Sequence, residues 1–362
     1  MFYHLLYPLR ELFFGFNIFR YITFRAAMAA VTAFTLSILL GPFLLRKLSE
    51  LKVGENIRKE ECPGLYPLHK GKEGTPTMGG ILILLSIIGA TLLWGDITNR
   101  YILLAIFTTV WLGMIGFADD YIKLTKKRSL GLRPRVKFLW QLLLGLIIGI
   151  TVTYDPVIGG RLDIPFLKDL VVNLGPFYSI FVMLVIVGSS NAVNLTDGLD
   201  GLAIGCITIV AVAYSGMSYL TGNIRFSDYL NIIYVPGVGE LTIFCASIVG
   251  AGLGFLWYNT YPASVFMGDT GALALGGAIG VVAVLIKKEL VLLLVGGIFV
   301  VEALSVILQV GSYKITKKRI FLIAPVHHHF QLKGWAEPKV TVRFWIIGAV
   351  LALLSLATLK IR

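Results

Sequence analysis

About ten apolar segments of near-membrane length follow one another along this chain, and no other feature limits its fold so tightly. Spans are expected at 23–45, 78–95, 101–118, 138–154, 177–190, 200–220, 240–258, 270–286, 290–312 and 342–359, each near the ~20 residues that an α-helix needs to cross about 30 Å of hydrocarbon. The 362 residues leave no room for a separate soluble domain, so the expectation is one polytopic, all-α membrane domain over 1–362. Hydrophobic residues at 57% and charged residues at 14% agree, against roughly 45–50% and about 25% in average soluble domains. Residues 1–22 alternate Phe, Leu and Tyr with Arg10 and Arg20 and lack a small-residue cleavage site. They read as an interfacial helix rather than a removed leader. Cys62, Cys206 and Cys245 have no ligand-like spacing, so neither a zinc site nor a disulfide framework is expected.

Ten spans put both termini on one side and divide the loops into two sets. The stretches 46–72, 123–137 and 314–343 each carry seven Lys or Arg, 21 of the 32 in the chain. By the positive-inside rule this set is cytoplasmic and the termini are external. The net charge of +12 is thereby placed against a membrane surface, and no nucleic-acid partner is expected. The weakest span is the fifth, 177–190, which is short and ends in the polar GSSNAVN.

The polar motifs all fall on the cytoplasmic side: HKGKEGTPTMGG (69–80), FADD (117–120), NAVNLTDGLDG (191–201), YNTYPASVFMGDTGA (258–272) and APVHHHFQLKGWAEPK (324–339). Five loops converging on one face is how an active site is built on a helical bundle. Asp119 and Asp120 end the third span, where the helix macrodipole disfavours a carboxylate by about 0.3–1 kcal/mol. Either Lys123, Lys126 and Lys127 balance them in water, or a bound cation holds them; hard oxygen ligands favour Mg²⁺. Asp269, Asp197 and Asp200 precede apolar runs and read equally as helix caps. Their number at one face, with Asn191, Asn194 and Asn259, favours a site, and the helix N-termini behind Asp200 and Asp269 offer amides to phosphate. His327, His328 and His329 are consecutive and cannot all point one way, so they read as imidazoles that bind phosphate or the substrate's sugar and base, with a structural role for at least one, rather than as a zinc site. Glu302, Ser305 and Gln309 share one side of the ninth span, where interhelical hydrogen bonding is the plain explanation. Lys72 reads either as one more inside lysine or as a group that reaches a diphosphate. Asp163 and Asp169, in an external loop, are expected to be replaceable.

TPTMGG, GFADDYIK, NAVNLTDGLDGLA, FMGDTGAL and PVHHHFQLKGWAEPKVTVRFW together resemble the polyprenyl-phosphate N-acetylhexosamine-1-phosphate transferases over nearly the whole chain. The long histidine stretch resembles the muramoyl branch of that superfamily. The resemblance implies ten membrane helices, a cytoplasmic cleft, a homodimer in the bacterial inner membrane and a Mg²⁺ cofactor. It implies transfer of phospho-N-acetylmuramoyl-pentapeptide from its uridine nucleotide (UDP-MurNAc-pentapeptide) to undecaprenyl phosphate, with release of UMP. Catalysis is expected from Asp119, Asp120, Asp269 and His327, with Asp269, Asp119 and Asp120 toward the metal. Substrate contacts are expected from Lys72, Thr77, Asn191, Asn194, Asp197, Asp200, Asn259, Phe266, Gln309, His328 and His329. Three rivals stay open. A sister transferase would share the acids but not the histidine loop, a secondary transporter would carry ionisable groups at the midplane, and a scaffold would tolerate loss of the acids.

The topology is testable directly. In a background lacking the native cysteines, Cys at 130 and at 334 should resist a membrane-impermeant maleimide in intact cells, and Cys at 165 should be labelled. Labelling at 334 but not at 130 would show that the fifth span fails to cross.

Overall fold

A computed structural model describes residues 1–50, 72, 74–125, 131–165 and 171–360. Cys62 and Asp169 lie outside the described residues, as do Lys52, Arg58, Lys59, Lys70, Lys126, Lys127 and Arg128 of the charge count. Ten helices make the bundle: α1 (Ile22–Glu50), α2 (Gly80–Trp94), α3 (Arg100–Thr125), α4 (Pro134–Thr153), α5 (Phe177–Thr196), α6 (Leu202–Thr221), α7 (Leu241–Asn259), α8 (Gly268–Leu285), α9 (Gly297–Thr316) and α10 (Glu337–Ala357). Among the described residues nine are long and apolar enough to cross a membrane, and α2, at 15 residues, is shorter. The protein is a multi-pass, helical membrane protein, as its hydropathy requires: in lipid each peptide group must find its partner inside the segment.

At the centre stands α8, buried from Thr270 to Leu285 and packed against α2, α3, α5 and α6. Its Gly- and Ala-rich surface lets neighbouring backbones come close, the usual basis of helix association in membranes. Gly80 of α2 meets Gly271 so closely that a methyl group on Gly80 would overlap the Gly271 backbone.

The structure revises several expected boundaries. α5 continues through the polar run to Thr196, because its side chains are satisfied in place. Ser190 donates to the Leu273 carbonyl at 3.0 Å, Asn191 to Gln141 Oε1 at 2.7 Å, and Thr196 to the Ala192 carbonyl at 2.8 Å. At its other end Tyr178 donates to Glu289, so α5 crosses the bundle. α3 runs on to Thr125, which puts Asp119 and Asp120 inside the helix rather than at its end. The macrodipole penalty assigned to them therefore does not apply in full. The ninth apolar run breaks into Leu292–Val295 and α9. The first twenty residues form three short helical turns, Phe2–Leu6, Tyr7–Glu11 and Phe14–Arg20, instead of one helix.

The fold is also not purely helical: β1 (Arg161–Asp163) and β2 (Val171–Asn173) pair antiparallel, with Leu162 opposite Val172. The hairpin belongs to the end of the bundle that holds both chain termini, opposite the polar motifs. There Arg25 makes a two-pronged pair with Glu240 at 2.8 and 2.5 Å, the Met1 amine donates to the Leu92 carbonyl at 2.8 Å, and Lys360 donates to the Tyr229 carbonyl. Asp163 corrects an expectation. It is buried and pairs with buried Lys288 at 2.6 Å, while Lys287 donates to the carbonyls of Gly159 and Arg161. Breaking a buried pair costs on the order of 3–5 kcal/mol. Asp163→Asn should accordingly lower the thermal midpoint by several degrees while leaving the chemistry at the far end intact. An unchanged midpoint would return Asp163 to the replaceable surface residues.

Candidate active site

α3 and α8 bring three carboxylates together. Gly116, one turn before Asp120, lies where any side chain would overlap the Asp269 carbonyl, so the first turn of α8 rests directly on α3. Asp120 then caps that turn. Its oxygens accept from the N–H groups of Asp269 at 3.3 Å and Thr270 at 3.0 Å and from the Thr270 hydroxyl at 2.7 Å. A carboxylate at the positive end of a helix dipole is favourable. Asp269 itself was expected as the possible cap. It sits within the first turn, after Met267 at the N-cap position, and its side chain turns elsewhere.

Asp269 Oδ2 accepts from Lys123 Nζ at 2.9 Å and from Lys137 Nζ at 2.7 Å. Lys123 also pairs with Asp119 Oδ2 at 2.6 Å, one helical turn away, and Asp119 Oδ1 accepts from the Leu132 N–H at 2.9 Å. One oxygen from each of Asp119, Asp120 and Asp269 falls within 4.8 Å of the others. Three hard oxygen donors against two ammonium groups leave a net negative charge, and that donor set suits a hard divalent cation completed by substrate phosphates. Asp120 is committed to backbone donors, so Asp119 and Asp269 are the freer ligands. Lys137 was missed as a site residue; a lysine in the first turn of α4, where a cation is disfavoured, was the available signal.

A second group of residues surrounds the turn between α5 and α6. Asp200 is buried and does not cap α6, whose N-cap is Gly201 in a left-handed conformation (φ 73°). Its Oδ1 accepts from Lys72 Nζ at 2.6 Å and its Oδ2 from the Ala263 N–H at 3.0 Å. Glu337, which sequence reasoning passed over, accepts from Lys72 at 2.5 Å and from the Asp200 N–H at 2.8 Å. The Lys72 ammonium stands 5.8 Å from the centre of the half-buried Phe266 ring. Asn259 accepts from the Gly201 N–H at 3.0 Å and donates to the Val265 carbonyl at 2.7 Å, tying the two loops together. Phe266 accepts through its carbonyl from the Gly79 N–H and donates to the Pro76 carbonyl, and Thr77 lies beside Gly268. Asn194 and Asp197 are half-buried at the end of α5, with Asp197 its C-cap.

The histidines divide as their spacing requires. His327 is buried against Gly198, His328 is tilted on it with ring centres 4.1 Å apart, and His329 Nδ1 accepts from the Leu322 N–H at 3.1 Å. Burial, and then the Lys333 ammonium, draw the His329 pKa below the usual imidazole value. Two further expected substrate contacts also bond to protein. Asn191 bridges α5 to Gln141 of α4, and Gln309 fastens the chain at 320–321, accepting from the Ile320 and Phe321 N–H groups at 3.0 and 2.9 Å.

Residues 102–287 match the model of Glycosyl transferase family 4, and residues 72–84 match the phospho-N-acetylmuramoyl-pentapeptide-transferase signature 1. Over 362 residues and 100% of both chains, the sequence is 55% identical to the phospho-N-acetylmuramoyl-pentapeptide-transferase of Citrifermentans bemidjiense. The proteins of the same name from Desulfotalea psychrophila and Syntrophus aciditrophicus are 54% and 52% identical, again over 100% of both chains. The chain belongs to the phospho-N-acetylmuramoyl-pentapeptide-transferase family. The family signature begins at Lys72 and takes in Thr77, while Glu337 and the histidines fall outside both matched stretches and are covered by the full-length relatives.

In a transferase of this family the acid cluster has measurable consequences. Asp119→Asn, Asp120→Asn and Asp269→Asn should each reduce turnover on the order of 10²-fold or more, as for lost transition-state charge stabilisation. Asp120→Asn should in addition destabilise the protein by about 1 kcal/mol through the weakened cap, visible as a lower thermal midpoint that Asp269→Asn does not share. Near-normal turnover in Asp269→Asn would remove it from the site.

Proposed function

We propose that the protein transfers phospho-N-acetylmuramoyl-pentapeptide from its uridine nucleotide to undecaprenyl phosphate, releasing UMP, at the cytoplasmic face of a bacterial inner membrane. The observation that carries this reading is the convergence of Asp119, Asp120 and Asp269 with Lys123 and Lys137 at the end of the bundle where the basic loops lie. Membership of the family supports the substrates, and the positive-inside rule supports the side.

Attack of one phosphate anion on a diphosphate meets charge repulsion, so catalysis rests on neutralising and aligning phosphate oxygens. Asp269 and Asp119, with Asp120 fixing their geometry, would hold a Mg²⁺ ion, which would supply part of that positive charge when bound. Lys123 and Lys137 supply the rest: each can exchange a carboxylate for a phosphate oxygen without leaving the site. A phosphate monoester has its second pKa near ~6, so the lipid phosphate needs no strong base. Asp119 orients it and takes up its residual proton, and a single direct displacement follows. Lys72 approaches the diphosphate from its place between Asp200 and Glu337. Phe266 offers its ring to the uracil, and Asn194, Asp197, Asp200, His327 and His328 line the nucleotide and sugar pocket. Thr77 and His329 complete its rim, and Asn191, Asn259 and Gln309 hold its walls. The working unit is a homodimer, each copy with its own site.

Chelation tests the metal. EDTA should abolish transfer by the purified protein and added Mg²⁺ should restore it. Full activity in the chelator would overturn the metal reading and leave the acids to the protein donors that hold them, Lys123, Lys137, Thr270 and the Leu132 N–H among them.

A further inference from the structure

A carboxylate–imidazole contact lies beside the histidine loop, outside the acid and lysine cluster. Glu302, on α9, is fully buried, and its Oε2 is 3.1 Å from Nδ1 of His327, which is buried as completely. The helix Val326–Leu332 that carries His327 packs against α9. On the opposite edge of the ring, Nε2 faces Gly198 so closely that a side chain there would overlap it, and His328 covers one face. The imidazole is therefore held between Glu302 and the turn that carries Asp197 and Asp200.

Neither ring nitrogen of His327 and neither carboxylate oxygen of Glu302 makes an aligned hydrogen bond with a described residue. Buried polar atoms left in that condition cost about 1–3 kcal/mol each, and a carboxylate within a membrane helix is costly in itself. An apolar residue of similar size would hold α9 to the histidine helix at lower cost. Contacts between a base and its orienting group are often loose before substrate arrives and tighten with it. The tautomer of a histidine is set by what its second nitrogen bonds.

We propose that Glu302 is a positioning residue for the transfer, accepting the Nδ1 proton of His327 so that the unprotonated Nε2 edge packs on Gly198 and sets the turn that carries Asp197 and Asp200 for the nucleotide substrate. The proposal rests on the reading of Asp197 and Asp200 as substrate-facing groups, with His327 acting through the turn that carries them. It gives Glu302 an effect on the nucleotide and none on the lipid acceptor.

The test is a mutant cycle on the full-length protein, with kcat/KM measured separately for UDP-MurNAc-pentapeptide and for undecaprenyl phosphate, and the thermal midpoint recorded for each variant. Glu302→Leu should lower kcat/KM for the nucleotide roughly 10- to 100-fold, the loss of one charge-assisted hydrogen bond, with KM for undecaprenyl phosphate unchanged. Glu302→Gln, whose amide oxygen still accepts from Nδ1, should recover most of the loss. In a His327→Ala background Glu302→Leu should have no further effect, because the two act as a unit. Additive losses, or equal losses in Glu302→Leu and Glu302→Gln that follow a lowered midpoint, would make Glu302 a packing residue and overturn the inference alone. A His327→Ala variant with normal kcat/KM for the nucleotide would overturn the placement of His327 as well. If Glu302→Leu does not fold, Glu302→Asp, which withdraws the acceptor from the ring, serves in its place and should show the same nucleotide-specific loss.

Discussion

The buried cap that Asp120 places over the first turn of α8 is the contact on which the remaining geometry depends. α8 is the central helix, packed on four others, so its position relative to α3 decides where Asp269 stands with respect to Asp119. Two features fix that position. Gly116 removes the side chain that would keep the backbones apart, and Asp120 accepts from the Asp269 and Thr270 N–H groups and the Thr270 hydroxyl. A carboxylate taken into a membrane bundle needs such compensation, because the surrounding hydrocarbon supplies none. The cap thus does two things at once: it satisfies the exposed amides of α8 and sets the separation of the acids.

The two ends of the bundle handle charge differently. At the end with the termini, buried ions pair one to one, Arg25 with Glu240 and Lys288 with Asp163, while Lys287 rests on backbone carbonyls. These contacts fasten the hairpin and the N-terminal turns. At the opposite end carboxylates outnumber their ammonium partners. Asp119, Asp120 and Asp269 share Lys123 and Lys137, and Asp200 and Glu337 share Lys72. An acidic excess with bridging lysines attracts a cation and leaves each lysine able to trade a carboxylate for an arriving phosphate.

Much of this architecture was legible in the chain. Apolar length gave the helices, and the distribution of Lys and Arg grouped the five motif loops at one end, because both are properties that a lipid environment imposes on local sequence. Asp119 and Asp120 stood out as carboxylates at the end of a helix that disfavours them, and Asp269 through its company at the same face rather than alone. What escaped was pairing across long sequence separations. Glu337 reaches Asp200 and Lys72 from more than a hundred residues away, and Lys137 reaches Asp269 from 132 residues away; nothing local in EPK announces its contact, and the place of Lys137 in a first helical turn marks the residue but not its partner. The buried pairing of Asp163, expected only as a replaceable residue of an external loop, escaped for the same reason: its partner, Lys288, lies at the end of a distant helix. The doubt over α5 had a similar origin: Ser190 and Asn191 look unfit for a span until Leu273 and Gln141 are seen to receive them.

Together these five loops should form one site specific for the muramoyl-pentapeptide nucleotide. That specificity is tested most directly by offering the purified protein undecaprenyl phosphate, Mg²⁺ and an equimolar mixture of UDP-MurNAc-pentapeptide and UDP-N-acetylglucosamine, each with a different radiolabel, and counting both labels in the organic-extractable lipid. Only the muramoyl-pentapeptide label should enter the lipid, with one UMP released per label transferred. Transfer of the N-acetylglucosamine label, or release of UMP with no label in the lipid, would contradict it.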